Sequence, residues 1–463
     1  MLTYFAFIVI AASLWASGTR MITVFVVACL FGGSAAASLP GLGGAPLTPA
    51  VFALPFLLVQ TVRTCGLRNA LRPVATGPGV ALALMVTWGV LGAVLLPRIF
   101  LGETFVNTTD RNSFSLGVSL IPLRPNSTNI TQACYVIGGA GAFFLMSALL
   151  ARDEGLARFR NAVLLLTALN CLAAFINLAE HHLGFPSVME YVRNAEYAVM
   201  DGGEVGGLVR ISGTFPETSA FSAFTLPLFA FAASLRRSGQ CTKVTGWLAL
   251  TSLALLAFST STTAYASLLV YFGCLAVVVT WRVVWQGKIP VWGLPAALTG
   301  GGLAIVCCVV LLKPEVLAAV QDFFQATLLR KLESSSGVER SSWNVQAWQN
   351  FLDTYGLGAG LGSARASSFP MVLLSNLGAI GATLFAVFVV QVLRAAFVPS
   401  AQPADAVARA AGHAVMATLI AFAISGTVFD LGIAFYVFAA AAASPVRQPV
   451  DRQSPARQLP AHA

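Results

Sequence analysis

The sequence predicts an all-α, polytopic integral membrane helical bundle of about 12–13 spans, and three observations predict it. The 463 residues are 57% hydrophobic and only 10% charged, where a soluble domain carries about 25% charged residues. The apolar runs are ~17–25 residues long and continuous rather than alternating, which selects helices over a membrane barrel. The excess of basic over acidic residues lies entirely on one set of connecting loops.

In order, the apolar runs place spans at 2–18, 21–37, 48–62, 78–97, 132–150, 161–179, 213–234, 244–259, 262–281, 291–312, 368–393, 411–427 and 428–444. The first is a retained span rather than a cleaved leader, because Arg20 and a second apolar run follow it directly. Loops on one side carry 17 of the 27 basic residues against four acids, Asp153, Glu154, Asp405 and Asp451. The opposite loops hold the remaining ten basic residues and 14 acids. By the positive-inside rule the basic loops are cytoplasmic. The long loops ~98–131, ~180–212 and 313–367 therefore face outward, with the N-terminus. The net charge of +9 is thus a topological signal and not a nucleic-acid footprint. Residues 1–444 read as one membrane domain, and the Pro- and Arg-rich 445–463 as a disordered cytoplasmic tail.

The eight cysteines lie in or beside apolar runs and form neither a disulfide framework nor a zinc spacing, so they read as small apolar side chains. Asn107, Asn126 and Asn129 begin short glycosylation-like triplets that carry no weight. His181 and His182 lack any metal-ligand spacing and read as loop histidines in water. The hydroxyl turn Ser259–Thr263 can line a polar cavity or bond back to helix carbonyls, the commoner case. His413 and Asp430 are ionisable residues near membrane depth, a functional hint that snorkelling or turn formation explains equally well.

The second outer loop ends in Val209-Arg-Ile-Ser-Gly-Thr-Phe-Pro-Glu-Thr-Ser-Ala-Phe221. Thr214 and Glu217 fit a capping box, with Pro216 in the first turn. Glu217 at the membrane boundary beside Arg210 also suits a carboxylate that takes a proton from a sugar hydroxyl. On spacing alone the two readings stand level.

In the large loop, Ser341 or Ser342 is the expected cap of an amphipathic helix with the apolar stripe Val345, Trp348 and Leu352. This helix is expected along the outer surface of the spans, with Trp343 and Trp348 at the interface. Arg340 precedes it. Gly356, Gly358, Gly360 and Gly362 then alternate along the chain; lacking a Lys-Ser/Thr, they are no Walker loop. Such glycines let backbone N–H groups approach a ligand and can build an anion nest. Arg365 follows, beside the N-terminus of the next span, whose dipole favours anions. Arg340, Arg365, the glycine backbone and that helix end suit a lipid pyrophosphate. The alternative is an ordinary loop whose arginines pair with Glu333, Glu339 or Asp353.

Arg340, Trp343, the run Gly356-Leu-Gly-Ala-Gly-Leu-Gly-Ser363 and Leu374-Ser-Asn-Leu-Gly-Ala-Ile-Gly381 resemble the O-antigen polymerase and ligase superfamily. Arg210 to Phe221 resembles the matching motif of its Wzy-type polymerases. The similarity runs in order from about 160 to 440, though only these two motifs are distinctive. The resemblance implies a metal-independent, GT-C-like glycosyltransferase with no cofactor. It would lie in the bacterial inner membrane with its site facing the periplasm. Its partners would be the bilayer and polyprenyl-pyrophosphate-linked glycan donor and acceptor, with room for a chain-length regulator and none for nucleic acid. The pyrophosphate-binding arginines of the family fall on Arg210 and Arg340, with Arg365 joining them on position. A ligase would carry His-Asn where this chain reads Ala364-Arg-Ala-Ser-Ser368. That departure favours polymerisation of repeat units over ligation of glycan to lipid A core, and leaves Glu217 as the candidate catalytic base. A flippase or transporter is the rival membrane class, distinguished by broken helices or midplane charges. A non-catalytic partner of a polysaccharide export complex is the third.

Overall fold

The computed structural model describes residues 2–39, 45–109, 118–184, 187–195, 204–205, 208–286, 335–398 and 403–444. The expected span 291–312, residues 313–334 of the large loop with Glu333, and the tail 445–463 lie outside the described residues. The described helices are α1 (Tyr4–Trp15), α2 (Arg20–Ala28), α3 (Pro49–Phe52), α4 (Leu54–Cys65), α5 (Leu67–Leu71), α6 (Gly77–Ile99), α7 (Ser127–Leu150), α8 (Gly155–Leu183), α9 (Val188–Val192), α10 (Thr218–Arg237), α11 (Thr242–Phe258), α12 (Thr262–Gln286), α13 (Ser335–Asp353), α14 (Phe369–Ala396), α15 (Pro403–Ser425) and α16 (Ile433–Ala442). Short two-stranded hairpins pair β1 (Ala37–Leu39) with β2 (Ala45–Leu47), β3 (Phe105–Thr109) with β4 (Val118–Pro122), and β5 (Glu204–Val205) with β6 (Leu208–Val209). Among the described residues seven helices are long and apolar enough to cross a membrane, those of α6, α7, α8, α10, α12, α14 and α15. The chain is therefore an all-α, multi-pass membrane protein.

Helix α10 runs through the middle of the bundle, with Phe221, Leu226, Leu228, Phe231 and Leu235 buried. It packs against α15, whose Ala410, Ala414, Ala417 and Ala421 are fully buried. Small side chains let these backbones approach, which is how helices gain packing energy where lipid offers no hydrophobic contrast. Near the C-terminal end of α10, His413 Nε2 meets Arg237 Nη2 at 3.0 Å and its Nδ1 meets Tyr271 Oη at 3.2 Å. His413 is thus a polar link among α10, α12 and α15, not a lone charge.

The distinctive feature is a break in α14. Gly378 has φ 64° and ψ −165°, so the helical ladder stops there and resumes beyond it. The Ser375, Asn376 and Leu377 carbonyls accept instead from Ala359 N–H (2.7 Å), Gly360 N–H (3.1 Å) and the indole N–H of Trp88 (2.8 Å). In return Ala379 N–H donates to Gly356 O at 2.8 Å. The glycine run is thus inserted against the break. Its glycines have φ of 76°, 87°, 97° and 83°, in the region closed to ordinary side chains. A Cβ on Gly358 would lie 2.7 Å from Gly378 N, and one on Gly362 would lie 2.6 Å from Thr128 O.

This packing yields a stability prediction. A Cβ at Gly378 would lie 2.2 Å from Gly356 O, at positive φ, whereas Gly102 shares the positive φ but meets nothing within 4 Å. Gly102→Ala should cost only the left-handed strain of ~1–2 kcal/mol. Gly378→Ala should cost ~2–5 kcal/mol, because overpacking is added to that strain. Thermal unfolding of the purified protein checks this: equal effects of the two substitutions would show that the break is not closed by the glycine run.

Candidate functional site

The described parts of the connections around Thr104–Thr109, Arg210–Glu217, 354–368 and 426–432 meet at one end of the bundle, and the site is built from them. Asn177, near the end of α8, accepts from Ser212 N–H (3.0 Å) and Gly213 N–H (3.2 Å) through Oδ1. Thr214 donates its hydroxyl to Leu30 O at 2.6 Å, and Gly33 N–H donates to Thr214 O at 3.0 Å. The Arg210–Glu217 segment is therefore clamped between α8 and the end of α2. This corrects the expected capping box. Helix α10 starts at Thr218, Glu217 is the N-cap residue, and its side chain makes no capping bond. Thr214 is occupied elsewhere, so neither half of the box forms. The Glu217 carboxylate instead accepts from the Ser219 hydroxyl at 2.5 Å through Oε1. The reading of Glu217 as a side-chain cap is removed, and its Oε2 is not used in this bond.

Arg365 lies on the 354–368 loop. Its backbone N–H donates to Asn107 O (2.8 Å) and its Nη2 to Thr427 Oγ1 (3.1 Å), tying three loops together. Burial lowers the pKa of its guanidinium, and the charge of the nearby Glu217 carboxylate opposes that shift. No direct ion pair joins the two among the described residues. An anionic and a cationic group thus lie close enough to interact near the N-terminus of α10 without forming an ion pair.

The glycine run is not the anion nest its spacing suggests. Besides the bonds to the α14 break, Gly358 N–H donates to Thr354 Oγ1 (3.0 Å), and Gly362 and Ala364 N–H donate to Asn376 Oδ1 (2.9 and 3.3 Å). Asn376 Nδ2 donates back to Ala364 O and Val372 O (2.8 and 2.9 Å). The backbone donors are spent on internal acceptors, as buried backbone groups require.

Helix α13 also departs from expectation. It begins at Ser335, so Arg340 lies inside it and not before it, and Ser342 donates to Glu339 O (2.7 Å) instead of capping. The apolar stripe faces outward, with Val345 68% and Leu352 49% exposed. The inward face carries Asn344, Ala347 and Asn350, and Asn344 Oδ1 accepts Ser367 N–H at 2.8 Å. Arg340 is exposed, one turn from Asn344 on the same stripe, and makes no hydrogen bond or ion pair among the described residues. Asp353 accepts from Thr104 Oγ1 (2.6 Å) and Gln349 Nε2 (2.7 Å), so it is not the counter-ion of either arginine.

Arg210 is half-buried, and its Nε is enclosed without a hydrogen-bond partner. The structure thus brings Glu217 and Arg365 together electrostatically, keeps Arg210 on the same clamped loop as Glu217, and leaves Arg340 exposed on α13. The sequence reading missed several residues here. Arg193 is buried at 6% exposure against Gly33. Asn129 donates to Leu361 O and Ser363 Oγ, both at 2.8 Å. Asn129 and Asn126 also form the capping box of α7, so their amides serve the fold. His181 and His182 end α8 and are exposed, on a helix and not in a loop. Ser259 donates to Leu256 O (2.8 Å), the helix-carbonyl option for the hydroxyl turn. Asp430 forms a turn, accepting Gly432 N–H at 2.8 Å; burial raises its carboxyl pKa and this bond partly offsets the rise.

No family model matches the chain, and no curated protein matches it in sequence.

The clamp makes a measurable distinction. Thr214→Val should destabilise the protein by ~1–3 kcal/mol, because it strands the buried Leu30 carbonyl. Glu217→Ala should cost about 0.5 kcal/mol or less, at the floor of the ~0.5–2 kcal/mol range for a true cap. Parallel thermal denaturation decides it, and a larger loss for Glu217→Ala would restore the capping role.

Proposed function

We propose that the chain polymerises polyprenyl-pyrophosphate-linked oligosaccharide repeat units into a surface polysaccharide, such as exopolysaccharide or O-antigen. In this reading it works in the bacterial inner membrane with the site on the periplasmic side, as the charge asymmetry of its loops supports. The single observation that carries the proposal is the Glu217–Arg365 pair: opposite charges near one another without an ion pair, on loops held by buried amides.

The chemistry follows from that arrangement. An acceptor sugar hydroxyl attacks the anomeric carbon of the donor, forming the new glycosidic bond. Glu217 takes the hydroxyl proton on Oε2, since Ser219 occupies Oε1. The bond from the anomeric carbon to the pyrophosphate oxygen breaks, and the pyrophosphate leaves with the electron pair. Arg365 stabilises that growing charge, with Arg210 from the clamped loop and the exposed Arg340 of α13. Fixed guanidinium groups suit this task because their planar fork can hold two phosphate oxygens.

The break in α14 is the feature that speaks for a transporter, since discontinuous helices form ion and substrate sites there. Its three carbonyls, however, are all taken by Ala359, Gly360 and Trp88. That occupation favours a rigid reaction site over a transport site. The missing His-Asn beside Arg365 favours polymerase over ligase.

The test is Glu217→Gln. Glutamine keeps the acceptor for Ser219 but cannot accept a proton near neutral pH. The variant should insert at normal levels and lose ~10²–10⁴-fold in transfer rate. Single lipid-linked repeats should accumulate in place of polymer. Wild-type chain lengths from this variant would remove Glu217 from the mechanism.

A further inference from the structure

Beneath the Arg365 loop lies a cavity of about 30 Å³, lined by Thr108, Thr128, Gln132, Arg365, Asn376 and Phe429 among others. Two of these residues have unmet needs of opposite kind. Arg365 Nε and Gln132 Oε1 are both enclosed and without a hydrogen-bond partner. The first can only donate and the second can only accept. Gln132 is 7% exposed, so bulk water does not serve it.

Gln132 stands one turn into α7 from Asn129, whose amide already holds Leu361 and Ser363. Residues three apart share a helix face, so α7 presents two amides towards the glycine run and the loop after it. Asn129 fixes the loop directly. Gln132 shares the cavity with the guanidinium, and its Oε1 makes no hydrogen bond with it. The space exceeds the ~10–15 Å³ that one water needs, and it has room for about one or two. Its walls include the Thr108 and Thr128 side chains, so further polar partners are at hand.

We propose that this cavity is a built hydration site, in which one water accepts from Arg365 Nε–H and donates to Gln132 Oε1. Gln132 is then a positioning residue for Arg365. With the backbone N–H on Asn107 and Nη2 on Thr427, the water is a third tether on this arginine. The plane of the guanidinium is set, and its remaining N–H groups are left for whatever binds beside Glu217. The hydration site stands on packing alone, whether or not glycan transfer is the reaction.

A cryo-EM or crystal map of the full chain in lipid nanodiscs, at a resolution that shows ordered water, tests this. The expected result is a density peak about 2.7–3.2 Å from both Arg365 Nε and Gln132 Oε1. A direct Arg365–Gln132 hydrogen bond, or a dry cavity, would overturn the proposal. Gln132→Glu, which keeps the acceptor, should retain the peak and the Arg365 conformation. Gln132→Leu should lose the peak and leave the guanidinium in more than one orientation. An unchanged, singly ordered Arg365 in Gln132→Leu would also overturn the positioning role.

Discussion

Three carbonyl oxygens released where α14 breaks, on the buried residues Ser375, Asn376 and Leu377, need donors that bulk water does not supply. The glycine run and Trp88 supply them. The rest of this end of the bundle depends on this exchange. It draws the 354–368 loop down into the bundle, and four glycines at positive φ let the backbones come close enough for it. Asn376, at the break itself, then ties Gly362 and Ala364 and so fixes the approach to Arg365. A soluble loop could have left these groups to solvent. Here each is paired within the protein.

On that frame the charged groups are few and separately held. Arg365 is tied by Asn107 and Thr427, and Glu217 by Ser219 and a backbone clamped through Asn177 and Thr214. Charges partly withdrawn from water interact more strongly than surface charges, and fixed ones need no reorganisation when charge develops on a substrate. The outward apolar stripe of α13 fits the same arrangement. Its polar face serves the loop through Asn344, which leaves Val345 and Leu352 exposed.

The fold was largely legible in the sequence, because continuous apolar runs have one solution in a bilayer. Every expected span within the described residues contains a helix, but only seven of these helices are long and apolar enough to cross a membrane, and α1, α2, α4, α11 and α16 are not among them. The roles of polar residues were less legible. The alternate glycines were visible, but their N–H groups had two uses, ligand or helix break, and only the position of Gly378 decides between them. The Thr-x-x-Glu spacing of Thr214 and Glu217 suggested a cap, but Leu30 lies 184 residues away from Thr214 in the chain and competes for its hydroxyl. Asn129 and Gln132 gave no signal beyond a helical i, i+3 spacing, which is too common to single them out. A polar residue on the inner face of a membrane helix is the one clue that could have found them.

The central claim is that the glycine run closes the break in α14 and is not a free anion site. Hydrogen exchange of the 356–364 backbone in the ligand-free protein measures this directly. The account predicts that Ala359, Gly360, Gly362 and Ala364 exchange as slowly as the amides of α14, since each already donates to a protein acceptor. Fast exchange of these amides without ligand, slowed only when a lipid pyrophosphate is added, would contradict it.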